Sequence, residues 1–371
     1  MPDDPYHRLR SYLDQLPLGF PETPSGLEIK ILKKMFSEEE AEAALWVTPF
    51  PEEARQIAER TGVALDGLEA RLEAMSRKGL LFRFRRRGQT LFQTAPFMIG
   101  LYEYSVQRMD RELADLCRRY YEEAYQEELG ASNVPGFKVI PIDQRVPADL
   151  VLFPHVKVAE EIRAARKIAV AECVCRKEAT LTGHNCGSPR ETCLSFGVAA
   201  EYYIENKIGR EIDAEEALAI LEQADRAGLV HAGANTRHLS NICNCCPCCC
   251  ASLKGIVSKG HDKRKYLNAL YEAVVDPEAC LVCEACSERC PVQAIIVEEI
   301  ARVDRDRCLG CGLCAGVCPS DALMLKLRED RQEPFRNILE MGLAILEGKR
   351  RWNRSPAFGR AARIRNFRSK E

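Results

Sequence analysis

The run Cys280-Leu-Val-Cys283-Glu-Ala-Cys286-Ser-Glu-Arg-Cys290-Pro291 returns 28 residues later as Cys308-Leu-Gly-Cys311-Gly-Leu-Cys314-Ala-Gly-Val-Cys318-Pro319. Three thiolates at this close spacing take three corners of an iron–sulfur cube. The fourth, after a wider gap and ahead of proline, points to the other cube. The expectation is one [4Fe–4S] site from Cys280, Cys283, Cys286 and Cys318, and a second from Cys308, Cys311, Cys314 and Cys290.

The repeat extends past the ligands. Val275-Asp276 answers Val303-Asp304, Leu281 answers Leu309, and Ala294-Ile295 answers Ala322-Leu323. With these residues the stretch resembles the bacterial-type dicluster ferredoxins, which implies a small domain that carries electrons. Tetrahedral zinc also uses paired CxxC, but it does not require this spacing and its proline twice over. One departure stands out: Val282 and Glu284 occupy the places that Gly310 and Gly312 hold in the second half.

A chain of 371 residues with 46% hydrophobic residues builds a sizeable core in about two or three domains. Its 19 cysteines would suggest disulfides in a short secreted chain. Here Met1-Pro-Asp-Asp-Pro-Tyr has no basic and no apolar region of a signal peptide. No apolar run approaches the ~18 residues of a membrane span. Cluster ligands must stay thiolates, which points to a reducing, cytoplasmic setting.

Ten further cysteines fall between Cys173 and Cys250. Cys173, Cys175, Cys186 and Cys193 form one group in sequence, and Cys243, Cys245, Cys246, Cys248, Cys249 and Cys250 crowd into eight positions. Neighbouring thiols rarely bridge without strain, so a soft-metal site is the natural reading. The ten can supply one or two additional iron–sulfur clusters, with zinc as the alternative and a redox-active thiol site as the third reading. Spacing alone does not say which thiols share a metal. Arg176 and Lys177 would offset thiolate charge, and His184 is a further candidate ligand or a surface histidine.

Around these cysteines the fold class reads as α+β multidomain. Residues 1–25 read as a proline-punctuated N-terminal arm. Residues 26–97 show helices ended by prolines and Gly62, then a period-two hairpin with Phe82 and Phe84 on one side and Arg83 and Arg85 on the other. Ser37 with Glu40 is a capping box. The order resembles winged-helix domains. DNA is the less favoured partner, because Asp66, Gly67, Glu69, Ala70 and Glu73 occupy the would-be reading face. Residues 1–100 also carry 14 Lys and Arg against 15 Asp and Glu, so protein docking is preferred.

Residues 98–135 read as a helical connector, with one long helix over 98–131 able to pair two copies into a homo-oligomer. Lone Cys117 within it reads as a small buried hydrophobe. Residues 136–270 form an α/β Cys-rich domain, in which Ile168–Ala171 is a buried strand and Pro141 confines Val139-Ile140 to a sheet edge. The ferredoxin unit spans 271–328, and 329–371 is an amphipathic helix with a basic tail. From Lys349 to Glu371 there are nine Lys and Arg against one Glu, with Trp352, Phe358, Ile364 and Phe367 between them. Such a tail suits an acidic redox partner, or peripheral contact with an anionic membrane.

Taken together, the winged-helix-like start, Cys173-Val-Cys175-Arg-Lys-Glu178, Asn241-Ile-Cys243-Asn-Cys245 and the terminal repeat resemble a family of large ferredoxin-type iron–sulfur proteins of anaerobic bacteria and archaea. The resemblance implies electron transfer and assigns no substrate. No nucleotide- or flavin-binding glycine motif is present, which favours a relay, or the iron–sulfur subunit of an oxidoreductase, over a self-contained enzyme. The alternative is a redox-sensing winged-helix regulator.

Overall fold

A computed structural model describes residues 4–141 and 158–350, and its architecture is mixed α/β. The chain opens on a helix, Pro5–Leu13, and not on an arm. The Asp4 side chain accepts from the Tyr6 amide and Pro5 fills the first turn, so the helix is capped on both counts. Tyr6, Leu9 and Leu13 share one face and are buried, as is Phe20. Pro17 and Pro21 are half-buried and Pro24 is exposed, while Leu16, Phe20 and Thr23 hold the segment to the core.

Helices Leu27–Met35, Glu38–Ala44, Ala54–Thr61 and Leu68–Arg77 follow, then a hairpin of β1 (Leu81–Arg86) and β2 (Gln89–Thr94). Both arms of the Ser37–Glu40 capping box are present. Glu52 bridges Phe92 on the hairpin's outer strand. The base of the hairpin is held against the chain, and only its tip, residues 85–89, is exposed. Arg83 is buried and donates to Glu205 at 2.5 Å and Asn206 at 3.1 Å, while Phe82 packs 4.8 Å from the Tyr202 ring.

The long helix expected over 98–131 is broken. Backbone at Met98, Ile99 and Gly100 is non-helical, a short turn covers Tyr102–Tyr104, and a new helix starts at Arg111 with Asp110 accepting from the Leu113 amide. The reason is the aromatic content. Phe97, Tyr102, Tyr120, Tyr121 and Tyr125 fold onto one another with centroids 4.9 to 6.1 Å apart. The face that a dimer would need is spent on this core. Cys117 is buried beside it.

The middle region is a seven-stranded sheet, built from β3 (Phe137–Val139), β4 (Ile168–Glu172), β5 (Glu191–Phe196), β6 (Gly209–Ile212), β7 (Val230–Ala234), β8 (Asn241–Cys245) and β9 (Leu267–Asn268). Its order is β6-β4-β5-β8-β7-β3-β9, antiparallel except where β3 meets β9. β3 is therefore flanked on both sides and is not an edge strand; Pro141 lies beyond it. Strand alternation divides the residues. Ile168, Val170, Leu194, Phe196 and Ile242 pack with Ile162, Ile220 and Leu221 of helices Val158–Ala164 and Ala214–Arg226. Ala169, Ala171, Val230 and Ala232 belong to the other core, which the N-terminal half shares.

In the repeat, β10 (Tyr271–Val275) pairs with β13 (Leu323–Leu327), and β11 (Ile295–Val297) pairs with β12 (Ala301–Val303). The strand after the second cysteine run thus closes back onto the strand before the first. Helix Ile338–Gly348 then buries Leu343, Ile345 and Leu346, and Lys349 reaches the buried Glu128 carboxylate. The tail expected beyond Arg350 lies outside the described residues. Among the described residues no helix is long and apolar enough to cross a membrane.

Candidate iron–sulfur and metal centres

Two small cavities sit in the repeat, of about 20 Å³ each. One is lined by Cys280, Cys283, Cys286 and Cys318, the other by Cys290, Cys308, Cys311 and Cys314. Four thiols around one apolar cavity fit the donor set of a cube. Backbone amides point at the sulfurs of the second cavity: Ala294 to Cys290 at 3.2 Å, Gly310 to Cys308 at 3.4 Å and Ala273 to Cys308 at 3.5 Å. Such N–H···S bonds favour the thiolate and tune a cluster's potential. The first cavity is nearer solvent, with Cys283 exposed and Leu281 at 65% exposure beside it.

A larger cavity, of about 70 Å³, lies on the alanine-lined face of the seven-stranded sheet. Cys243 and Cys245 are two apart on β8, so both thiols leave on one side while Asn244 leaves on the other. The register that pairs Leu194 with Ile242 sets Cys193 of β5 next to Cys243. Cys173 and Cys250 are the N-caps of helices Val174–Leu181 and Ala251–Lys259, and Cys175 lies in the first turn of the former. Small Ala232 on the neighbouring strand leaves the space open, and Met98, Ile99, Leu253 and Leu267 complete an apolar wall.

The electrostatics divide the thiols: Cys173 and Cys243 are held below the usual thiol range, while hydrogen bonding to these neighbours, with burial, pushes Cys175, Cys193 and Cys245 above it. Helix N-termini at Cys173 and Cys250 present partial positive charge. The Cys175 thiol donates to Cys173, and with the Arg176 guanidinium it holds Cys173 below the usual thiol range. Burial works against the Arg176 charge, but the thiolates of Cys173 and Cys246 outweigh it and hold Arg176 firmly protonated. Its Nη1 donates to Pro189 O and Thr192 Oγ1, both at 2.8 Å, and its Nη2 to Asn244 O. Two carboxyls stand close by. Burial pushes Glu103 up to about 8, and it pushes Glu178 up to about 7 although Tyr102 donates to it at 2.6 Å.

Cys186 departs from its sequence neighbours. It leaves Cys173, Cys175 and Cys193 and joins Cys246, Cys248 and Cys249, all four sulfurs lying within 4.8 Å of one another. The structure therefore divides the ten thiols as six around the cavity and four beside it, with Cys246 and Cys249 also touching the cavity rim. Sequence order suggests the wrong partition because β8 ends at Cys245 and the next turn reverses direction. His184 is exposed and outside both groups. Glu103, Met98 and Ile99 carry no motif. They reach the site through the break at Gly100, which no local pattern announces.

Leu267 of β9 lines the six-thiol cavity and Ala273 of β10 lines the second ferredoxin cavity. They are six steps apart along the chain, which at full stretch span at most about 21 Å. Among curated proteins no match to the chain is found. Residues 273–325 match the family model of the 4Fe-4S dicluster domain, and that stretch of the chain is what the comparison identifies.

Proposed function

We propose that this chain is an iron–sulfur electron-transfer protein, in which two [4Fe–4S] sites of the repeat exchange electrons with a third iron–sulfur centre in the six-thiol cavity. The observation that carries this is the short covalent link from Leu267 at one cavity to Ala273 at the next. Bound clusters would supply one-electron exchange. The chain's own residues hold Cys173 and Cys243 toward thiolate, exclude water with Met98, Ile99 and Leu253, and hold Arg176 against the accumulated negative charge. Six thiolates exceed the four corners of one cube, and the cavity is more than three times the volume of either ferredoxin cavity. Both facts favour a centre larger than, or differently ligated from, a standard cube.

In this reading electrons enter at the site of Cys280, Cys283, Cys286 and Cys318, where exposed Leu281 and Val282 offer a docking patch to a redox partner. They pass inward to the site of Cys290, Cys308, Cys311 and Cys314 and end at the sheet. Residues 26–97 serve as a docking unit whose hairpin is anchored on the chain itself. Arg83 and Arg85 are engaged by Glu73 and Glu205, which takes two of the hairpin's four arginines from phosphate contact and weighs against the regulator reading.

The test is iron and acid-labile sulfide per chain on protein purified without oxygen. Two cubes account for about 8 iron atoms, and about 12 or more supports the third centre. Cys243→Ser is expected to remove the excess and leave the remainder. A wild-type value of about 8 overturns the third centre.

A further inference from the structure

The four thiols of Cys186, Cys246, Cys248 and Cys249 have a spacing that discriminates between metals. Four thiolates on a single tetrahedral zinc, with Zn–S of about 2.3 Å, stand about 3.8 Å from one another. Thiolates on the corners of an iron–sulfur cube stand much farther apart, on the order of 6 Å, because the cube lies between them. Here Cys186 and Cys246 are 4.0 Å apart, Cys248 and Cys249 are 3.7 Å apart, and no pair exceeds 4.8 Å. The group is too tight for a cube and of the right size for one ion.

We propose that these four cysteines form a closed, mononuclear zinc site beside the cluster cavity, whose rim Cys246 and Cys249 share. Thiolates bind soft and borderline cations, and at a common donor set zinc outcompetes ferrous iron. The site needs no further ligand, since four sulfurs satisfy tetrahedral zinc. Zinc has no accessible redox change, so this centre carries no electrons.

Its role follows from what it joins. Cys186 belongs to the loop after helix Val174–Leu181, and the other three belong to the turn that follows β8. Arg176 links the same two segments through Pro189 O and Asn244 O. Ala224 and Leu229 back the group from one side. The ion therefore fixes the turn between Cys245 and Cys250, two thiols that face the cavity from either end of it. The six cavity thiols themselves are placed by β5, β8 and the two helix N-termini, so the ion steadies this turn without being required for the cavity lining. Without an ion, four close and partly exposed thiols would be prone to oxidation.

The test uses the full chain, purified without oxygen. Elemental analysis is expected to find one zinc per chain, and zinc-edge X-ray absorption to find four sulfurs at about 2.3 Å with no nitrogen or oxygen. Cys186 and Cys248 do not line the cavity, so Cys186→Ser and Cys248→Ser are expected to lose zinc and keep the wild-type iron and sulfide. Protein grown with cobalt is expected to show the visible bands of tetrahedral cobalt thiolate, which needs no variant. Three results would overturn the proposal: wild-type protein without zinc, a single iron in its place, or loss of about 4 irons in both serine variants. Zinc and iron are counted separately, so failure here is distinguishable from failure of the third iron–sulfur centre.

Discussion

Gly310 lies directly under the backbone of Tyr271, so closely that a Cβ at Gly310 would stand 2.5 Å from the Tyr271 carbonyl carbon. Gly310 also has φ +65°, a conformation natural to glycine. Its counterpart Val282 has φ +56° but is exposed at the surface. Repeat symmetry therefore asks both positions for a left-handed residue, and packing enforces glycine at one of them. Gly310→Val is expected to disrupt the second ferredoxin site and lower its iron content. Val282→Gly relieves strain of about 1 kcal/mol or more, partly offset by glycine's added chain entropy, so its unfolding midpoint should stay level or rise. Thermal unfolding and iron analysis of the two variants check this.

Cysteine substitution tests how the thiols are shared. If Cys290 serves with Cys308, Cys311 and Cys314, then Cys290→Ser and Cys308→Ser perturb the same signal in electron paramagnetic resonance of the reduced protein. Cys318→Ser should perturb the other signal, together with Cys280→Ser. Pairing of Cys290 with Cys280 instead would undo the crossed assignment.

Arg83 is 3% exposed and sits between Glu73 and Glu205. Arg83→Ala leaves these carboxylates short of a donor and is expected to cost about 1–3 kcal/mol. Hydrogen exchange should then rise along β1 and helix Val198–Glu205 together. A charge reversal, Arg83→Glu with Glu205→Arg, should recover part of the loss. Exchange confined to β1 would mean that the hairpin is not anchored on that helix.

Lys349 and Glu128 form an ion pair with side chains 2% and 3% exposed, and Gly19 donates to the same carboxylate at 2.6 Å. Lys349→Met strands a buried charge and is expected to cost about 3–5 kcal/mol, read from urea unfolding. Adding Glu128→Gln should restore most of that. Equal losses in the single and double variants would show that the lysine matters by packing alone.

The cysteine repeat was legible because iron–sulfur ligation imposes spacing that lies within one short segment. Capping at Ser37 is legible for a similar reason: one turn of helix is decided by residues three or four apart. The N-terminal helix is not legible, because proline spacing looks the same in a free arm and in a segment held down by Phe20. Nor is the break in 98–131, because periodicity registers apolar residues and not the aromatic partners that draw them off a straight axis. The hairpin's Arg83 and Arg85 read as surface charge until Glu205, some 120 positions later, is set beside them.

For this chain, sequence alone determined that thiolate chemistry dominates and that the last cysteines come as an internally repeated pair. Those are local facts, set by spacing along one strand of polypeptide. Which of the ten middle thiols belong together was decided by the tertiary structure. The register of β5 on β8 brings Cys193 to Cys243, and the reversal after Cys245 carries three other thiols to Cys186. Metal geometry depends on distances between sulfurs, and between segments 60 residues apart only the fold sets those distances.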